Sequence, residues 1–188
     1  AWQPARQTSG DYYDFFAARE GEVGLVIGDV SGKGMPAALF MALTRSIVRA
    51  SLVAPTPLVE RIERANRLIC ADSTAGMFVT LFCAEIRLST GELTYVNAGH
   101  NPPLLLSSSV GHEGLNELRP TGMALGVLED APFQQQTVQM APGDLMLLYT
   151  DGVPDATQAS GERFEMPRLR RLLLGEGKGT AQDVLSSL

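Results

Sequence analysis

One apolar stretch constrains the fold of this chain more than any other feature. Residues 77–88 are nearly all apolar and include β-branched side chains, which predicts a central strand that other elements cover on both faces. Residues 89–91, Ser-Thr-Gly, predict a turn, and residues 92–98 predict the antiparallel partner of that strand. The chain is therefore expected to build layers around a buried hairpin.

The rest of the chain predicts a mixture of strands and helices. Thr56 is predicted to cap the second helix with Pro57 as its first residue, and Thr180 with Asp183 is predicted to cap the last helix. In chain order, the predicted elements are strand 23–30, helices 36–52 and 57–72, strands 77–88, 92–98 and 103–107, strands 137–140 and 144–149 around a turn, helix 167–174, and a helix after residue 180. This order indicates an α+β fold rather than alternating βαβ units.

Composition is that of an ordinary soluble globular protein. The 188 residues suit one domain, and 45% hydrophobic with 19% charged residues argues against disorder. The net charge of −6, without a cluster of Lys or Arg, argues against a nucleic-acid binder. No apolar run reaches the ~20 residues that a membrane-spanning helix needs, and no signal peptide opens the sequence. Cys70 and Cys83 lie in apolar surroundings, and we interpret both as buried free thiols in a reducing cytoplasm.

Three aspartates stand beside glycines where predicted strands end: Asp11, Asp29 and Asp151. Each alone has an ordinary explanation, because Asp and Gly are common in turns and Asp often caps the next element. Together they indicate a site for a hard cation such as Mg²⁺ or Mn²⁺, which prefers carboxylate ligands. Asp11 and Asp29 are 18 residues apart, as in neighbouring strands of a hairpin, and Asp151 comes from a distant strand that could lie beside them. Such a cluster is repulsive unless a metal neutralises it.

Other chemistries fit the sequence less well. Residues 28–34 are rich in glycine, but they lack the spacing of a Walker loop or of a dinucleotide-binding motif. Neither cysteine lies in a polar context, and His100 and His112 are the only histidines that could serve a nucleophile as a base. The three aspartates therefore stay the leading candidates for the functional site.

Five motifs occur in order along the chain: residues 10–15 (GDYYDF), 28–39 (GDVSGKGMPAAL), 78–82 (FVTLF), 97–103 (NAGHNPP) and 149–153 (YTDGV). Together they resemble the PPM-type metal-dependent protein serine/threonine phosphatases, in the bacterial SpoIIE-type branch. The resemblance covers nearly the whole chain. It implies an α+β fold built as a four-layer αββα sandwich, with two antiparallel sheets flanked by helices.

The resemblance also implies a catalytic site with two divalent cations, Mn²⁺ or Mg²⁺. These cations would activate a water that attacks the phosphorus of a phosphoserine or phosphothreonine. By position, Asp29 would bridge the two ions and the carbonyl of Val30 would complete the shell of one of them. Asp11 would bind one metal and Asp151 the other, so these aspartates are the predicted catalytic residues.

Three further residues are candidates for supporting roles. Arg6 lies five residues before Asp11, where it could bind the phosphate or form a surface salt bridge. Asp14 could support the site through water or cap a turn. His100 is expected to hold a tight turn after a strand by hydrogen bonding, with general acid work as the alternative. Thr80, on the central strand, is interpreted as structural.

The chain departs from the family pattern at its ends. Family members usually close with a strand headed by an Asp-Asp pair that completes the second metal site, and this sequence stops at Leu188, before that strand. The strand before Trp2 also looks clipped. We expect residues 1–188 to form a single catalytic domain with truncated terminal strands, as a fragment of a longer multidomain regulator. Without the closing strand, the metal paired with Asp151 would bind weakly.

Two functional classes follow from these observations. The leading hypothesis is a phosphatase that acts on a phosphorylated regulatory protein, by family analogy an anti-sigma-factor antagonist. An N-terminal sensor or receiver domain would control it through the two predicted helices 36–52 and 57–72, with loop 121–126 relaying the signal, and a homodimer is left open. The main rival is a binding module that keeps the fold without turnover. A two-metal phosphodiesterase or nuclease is a weaker rival.

Overall fold

The structure is a computed structural model that describes residues 10–73, 76–108, 114–157, 161–176 and 180–187 of the chain. In chain order, the elements in these ranges are β1 (Tyr12–Ala17), β2 (Glu22–Val30), α1 (Met35–Leu52), α2 (Leu58–Asp72), β3 (Val79–Arg87), β4 (Glu92–Ala98), β5 (Leu104–Leu106), β6 (Leu115–Glu117), β7 (Gln136–Gln139), β8 (Leu145–Leu147), α3 (Glu165–Glu176) and α4 (Ala181–Ser187). They belong to two compact units. The larger unit holds the described residues up to Asn101 and Arg119–Gln139, and the smaller unit holds Pro102–Leu118 and the described residues from Met140 onward.

The larger unit is built on a five-stranded antiparallel sheet with the order β1-β2-β3-β4-β7. The predicted central hairpin is confirmed, since β3 and β4 pair across their turn with Arg87 opposite Glu92. Alternate residues of the strands, such as Val26 and Val79, pack with residues of α1 and α2 in one buried cluster. The period of two in a strand thus directs one set of side chains toward the helices.

The start of α2 differs from its prediction. Pro57 is itself the N-cap, with extended backbone, and the helix begins at Leu58. No side chain of the cap residue bonds the first turn. Instead, Oε1 of Gln135 accepts a hydrogen bond from the backbone N–H of Val59 at 3.3 Å. The prediction that Thr56 caps this helix is therefore wrong. A side chain from far along the sequence satisfies one backbone N–H of the first turn instead.

The smaller unit is built on a three-stranded antiparallel sheet with the order β6-β5-β8, together with α3 and α4. Strands β7 and β8, predicted around one turn, belong to different sheets, since β7 pairs with β4 and β8 pairs with β5. Strand β6 is missing from the predicted elements. The capping box of α4 is confirmed, because the N–H of Thr180 donates to the Asp183 carboxylate at 2.7 Å and the N–H of Asp183 donates to the Thr180 hydroxyl at 3.3 Å. The buried cluster of this unit consists of Leu104, Leu106, Leu147, Tyr149, Leu169, Leu173 and Val184.

The predicted α+β class, with two antiparallel sheets and helices, is confirmed. The assignment of residues 1–188 to a single domain stays a prediction. None of the helices within the described ranges has the length and hydropathy of a membrane-spanning segment.

Candidate metal centre

Two of the three predicted aspartates face each other at one end of the β1–β2 hairpin. The strands pair with Tyr12 opposite Gly28, and one further backbone hydrogen bond continues this register past Asp11. Asp11 therefore lies directly opposite Asp29. Side chains opposite each other in antiparallel strands project from the same face with Cβ atoms about 5 Å apart. The hairpin thus brings the two carboxylates to one place.

Gly10 leaves space beside the oxygen atoms at this end of the hairpin. The N–H of Val30 donates to the Gly10 carbonyl at 3.4 Å, which places Gly10 against the end of β2. A Cβ atom on Gly10 would lie 3.1 Å from the carbonyl oxygen of Val30 and 3.6 Å from Oδ1 of Asp29. Two oxygens of the kind that Mg²⁺ and Mn²⁺ prefer therefore border a space that a larger residue would fill. With the carboxylate of Asp11 opposite, this donor set fits a hard divalent cation.

A hydrogen-bonded network extends from Asp29 into the sheet. Thr80 on β3 lies opposite Asp29, and its hydroxyl donates to the backbone carbonyl of Asp29 at 3.3 Å. The same hydroxyl is 2.9 Å from Nδ1 of His100. The backbone N–H of His100 donates to Oδ1 of Asn97 at 2.8 Å, in a turn where Gly99 has a φ of 68°. His100 therefore helps to hold this turn with its backbone, while its ring reaches toward the candidate metal ligands.

Asp14 contacts helix α1. Its carboxylate accepts hydrogen bonds from Arg49 at 2.5 Å and from Arg45 at 3.2 Å. Burial opposes ionisation, but the hydrogen bond from Arg49 and the charges of both arginines hold the pKa of the Asp14 carboxyl below its usual range. Asp14 is three positions from Asp11 along the extended chain, so the two side chains project from opposite faces. Asp14 therefore anchors α1 to β1, and its support of the metal site stays a prediction.

Asp151 lies in the smaller unit, in a turn that follows β8. The N–H of Asp155 donates to the Asp151 carbonyl at 2.9 Å, and the N–H of Val153 donates to the Thr150 carbonyl at 3.2 Å. No group of three or more His, Cys, Asp or Glu side chains that could hold a metal forms among the residues that the structure describes. The assignment of Asp151 to the second metal stays a prediction. Arg6 lies outside the described residues.

The two cysteines do not offer a nucleophile. Both are free thiols, Cys83 is fully buried, and Cys70 is half-buried. Burial raises the pKa of each thiol, most strongly that of Cys83. Because only the thiolate is an effective nucleophile, the raised pKa values favour the less reactive thiol form of both groups. This agrees with the weak case that the sequence makes for covalent catalysis.

Sequence reasoning missed Asn97 and gave Thr80 only a structural role. Asn97 is fully buried on β4, and its side-chain Oδ1 accepts a hydrogen bond from the backbone N–H of His100 at 2.8 Å. Its backbone carbonyl accepts from the N–H of Thr121, and its backbone N–H donates to the Thr121 hydroxyl at 3.0 Å. Its position between the apolar residues Val96 and Ala98, in a predicted strand, is the feature of the sequence that could have indicated its role. A buried amide in an apolar strand has to find hydrogen-bond partners.

Comparison with known proteins agrees with the motifs. A family model described as Stage II sporulation protein E (SpoIIE) matches residues 19–188. The chain is 34% identical over 200 residues to Protein IcfG of Synechocystis sp., across 92% of this chain and 31% of that protein. It is 30% identical over 185 residues to Phosphoserine phosphatase RsbU of Bacillus subtilis, across 98% of this chain and 54% of that protein. The chain thus spans only part of the length of these relatives.

A solved structure, the SiaA-PP2C domain of Pseudomonas aeruginosa, matches all of this chain and 74% of its own length, with a TM-score of 0.84. At 19% sequence identity, this likeness shows the fold alone. The family model, in contrast, rests on the sequence and covers most of the chain. The resemblance that the five motifs carry is therefore confirmed, and the chain belongs to the SpoIIE family.

Proposed function

We propose that this chain is a metal-dependent protein serine/threonine phosphatase that hydrolyses a phosphoserine or phosphothreonine on a regulatory protein. The opposition of Asp11 and Asp29, with the Val30 carbonyl beside the space that Gly10 leaves, is the observation that carries the proposal. Family membership and similarity to a phosphoserine phosphatase support it. Two Mn²⁺ or Mg²⁺ ions are the proposed cofactors.

The residues of the larger unit would hold and position the cations. Asp29 and the Val30 carbonyl border one space, and Asp11 approaches it from the neighbouring strand. The cations, when bound, supply an activated water and offset the negative charge that builds on the phosphoryl oxygens. In the overall reaction, the water oxygen bonds to phosphorus and the bond from phosphorus to the serine or threonine oxygen breaks. That oxygen leaves with a proton as a hydroxyl group.

The remaining assignments come from the family motifs. Asp151 is the proposed ligand of the second cation, and Arg6 is the proposed contact of the phosphate. The proposed substrate is a phosphorylated anti-sigma-factor antagonist, and the proposed whole protein carries an N-terminal sensor or receiver domain and is able to form a homodimer. A cytoplasmic location belongs to the same proposal, since both cysteines are free thiols, as in a reducing compartment.

A non-catalytic binding module is the second candidate. One observation favours it: among the described residues, no group of three or more His, Cys, Asp or Glu side chains forms that could hold a metal ion. Such a module would keep the fold and dock a partner without turnover. Metal binding and hydrolysis separate the two candidates.

The test compares Mn²⁺ binding and Mn²⁺-dependent hydrolysis in the wild-type chain, in Asp29→Asn and in Asp130→Asn. Hydrolysis is followed with p-nitrophenyl phosphate and with a phosphoserine peptide. Asp29→Asn keeps the size of the side chain but removes a charged ligand. We expect it to lose more than about 100-fold in activity, since even outer contacts of a metal site cost about 10- to 100-fold. Asp130 is exposed in a loop, so Asp130→Asn serves as the matched control and should behave like the wild type.

Each outcome separates the candidates. Mn²⁺-dependent turnover that disappears in Asp29→Asn supports the phosphatase. A folded wild-type chain that binds no Mn²⁺ and hydrolyses neither substrate contradicts it and supports the binding module. Hydrolysis of single-stranded DNA or RNA, but not of the phosphopeptide, would indicate a phosphodiesterase instead.

A further inference from the structure

The hydroxyl group of Thr80 lies between two polar partners in the larger unit. It is 3.3 Å from the backbone carbonyl oxygen of Asp29 and 2.9 Å from Nδ1 of His100. Thr80 is directly opposite Asp29 across β2 and β3, so its side chain projects from the same face as the Asp29 carboxylate. This hydroxyl therefore connects a proposed metal ligand with a buried histidine.

The two hydrogen bonds of the Thr80 hydroxyl can form together in only one arrangement of protons. A hydroxyl group has one proton to donate and two lone pairs that accept. A carbonyl oxygen only accepts, so the Thr80 proton must point to Asp29 in their hydrogen bond. Nδ1 of His100 must then carry a proton and donate it to the Thr80 oxygen. A Thr80 hydroxyl that forms both hydrogen bonds thus needs a histidine ring that is protonated at Nδ1.

Burial restricts the ring of His100, and hydrogen bonds hold its backbone. Only 2% of the residue is exposed, and its backbone N–H donates to Oδ1 of Asn97 at 2.8 Å. Asn97 is tied to Thr121 by two hydrogen bonds, one from the Asn97 N–H at 3.0 Å and one from the Thr121 N–H at 2.8 Å. A donor fixed in this way behind a metal ligand is the usual means by which outer residues orient that ligand.

We infer that His100 is a positioning residue of the metal site. The hydrogen bond from its Nδ1–H to the Thr80 oxygen leaves the Thr80 proton to be donated to the backbone carbonyl of Asp29. This bond holds the end of β2, where Asp29 and Val30 present their oxygens. The inference rests on the proposed function, since it assigns a role toward the cations. It differs from general acid catalysis, because His100 acts only through Thr80. Without the Nδ1 proton, the Thr80 hydroxyl turns to the ring and Asp29 loses this contact.

The position of the ring proton is measured first, on the metal-free wild-type chain. Long-range ¹H–¹⁵N correlation spectra of the imidazole ring distinguish a proton on Nδ1 from a proton on Nε2. The spectrum of His100→Asn assigns the signals, since His112 is the other histidine. We expect His100 to be protonated at Nδ1. A ring protonated only at Nε2 overturns the inference, because Nδ1 would then accept the Thr80 proton.

Two matched pairs of variants test the effect on the metal. The amide nitrogen of His100→Asn takes the place of Nδ1, whereas that of His100→Gln takes the place of Nε2. Thr80→Ser keeps the hydroxyl, and Thr80→Val removes it with little change in shape. We expect the Asn and Ser variants to bind Mn²⁺ with an affinity within about twofold of wild type. The Gln and Val variants should bind it about tenfold more weakly, which is the lower end of the losses known for outer contacts of a metal site. Thermal unfolding without metal verifies that each variant folds.

The results distinguish failure of the inference from failure of the proposed function. Equal Mn²⁺ affinities of His100→Asn and His100→Gln, with wild-type binding and hydrolysis intact, overturn the inference alone. A wild-type chain that neither binds Mn²⁺ nor hydrolyses the phosphopeptide overturns the proposed function and the inference with it. Weaker binding confined to His100→Gln and Thr80→Val supports both.

Discussion

Breaking the buried ion pair between Arg61 on α2 and Glu85 on β3 is the strongest test of how the larger unit is held together. The pair is bidentate, with Nη1 donating to Oε1 at 2.7 Å and Nη2 donating to Oε2 at 2.6 Å. Nη1 also donates to the carbonyl of Leu52, the last residue of α1, at 3.1 Å. The side chain of Arg61 is 3% exposed and that of Glu85 is 10% exposed. One guanidinium group thus joins both helices to a central strand.

The expected cost of breaking this pair follows from its burial. Glu85→Gln keeps the shape of the side chain but leaves the guanidinium of Arg61 buried without a counter-charge. Removing one partner of a buried pair typically costs about 3–5 kcal/mol in the free energy of unfolding. Because an amide oxygen still accepts one hydrogen bond and the Leu52 carbonyl stays in place, we expect about 3 kcal/mol. For a chain of this size, this lowers the Tm by about 6–12 °C.

Urea and thermal unfolding measure the effect. Glu92→Gln is the matched control, because Glu92 pairs with Arg87 at 3.0 Å and both side chains are 44% exposed. An exposed pair of this kind contributes at most about 1 kcal/mol. Replacing both partners by leucine should recover much of the loss, since no unpaired charge is left. A loss for Glu85→Gln no larger than that for Glu92→Gln would refute the reasoning.

Two further predictions concern the hairpin of β1 and β2. Gly10→Ala should weaken Mn²⁺ binding by about tenfold, because its Cβ would lie 3.1 Å from the Val30 carbonyl oxygen. Calorimetric titration tests this. Gly175→Ala is the control, because an added Cβ there would meet no atom within 4 Å apart from its chain neighbours and its own helix backbone. Asp14→Asn should cost about 1 kcal/mol at pH 7, given the exposure of its arginine partners. Because folding lowers the pKa of Asp14, the wild type is more stable than Asp14→Asn at pH values above the pKa of the unfolded chain, which is about 4. This difference in the free energy of unfolding is lost as the pH falls below that value. Urea unfolding at a series of pH values measures it, and a difference that grows in acid would contradict the reasoning.

Features with local signals could be predicted from the sequence. Strand β4 has its predicted bounds, and β3 lies inside the predicted range, because an apolar run and a Gly-containing turn are properties of neighbouring residues. The opposition of Asp11 and Asp29 follows in the same way. A short turn joins β1 and β2, so the register of the hairpin is set by their spacing alone.

Features that depend on distant residues could not be predicted. The N–H of Val59 finds its acceptor in Gln135, and nothing near the start of α2 indicates this. Strand β6 has only three residues, and its extended form depends on pairing with β5. The position of Asp151 relative to the other aspartates could not be predicted either, since Asp151 follows a strand that lies far along the chain. The spacing of residues along the sequence can indicate such candidate residues, but it does not determine their positions in the structure.

The motif at residues 10–15, together with the rest of β1, shows how one segment supports both the metal site and the fold. The ring of Tyr12 covers Gly28, where a Cβ would lie 2.8 Å from Cε1. The ring of Phe16 covers Gly24 in the same way, at 2.1 Å from such a Cβ. Both are direct cross-strand pairs, and an aromatic ring over a glycine is a known means of stabilising a strand that glycine weakens.

These contacts explain why the hairpin can carry two carboxylates that repel each other. Its stability comes from the aromatic rings over the glycines and from Asp14, which arginines of α1 hold on the face toward the helices. Asp11 and Asp29 project from the other face, at the end of the strands, where they contribute charge rather than packing. The alternation of a strand therefore separates the residues that fold the hairpin from those that bind the metal. Substitutions at the carboxylates should for this reason change metal binding far more than they change the fold.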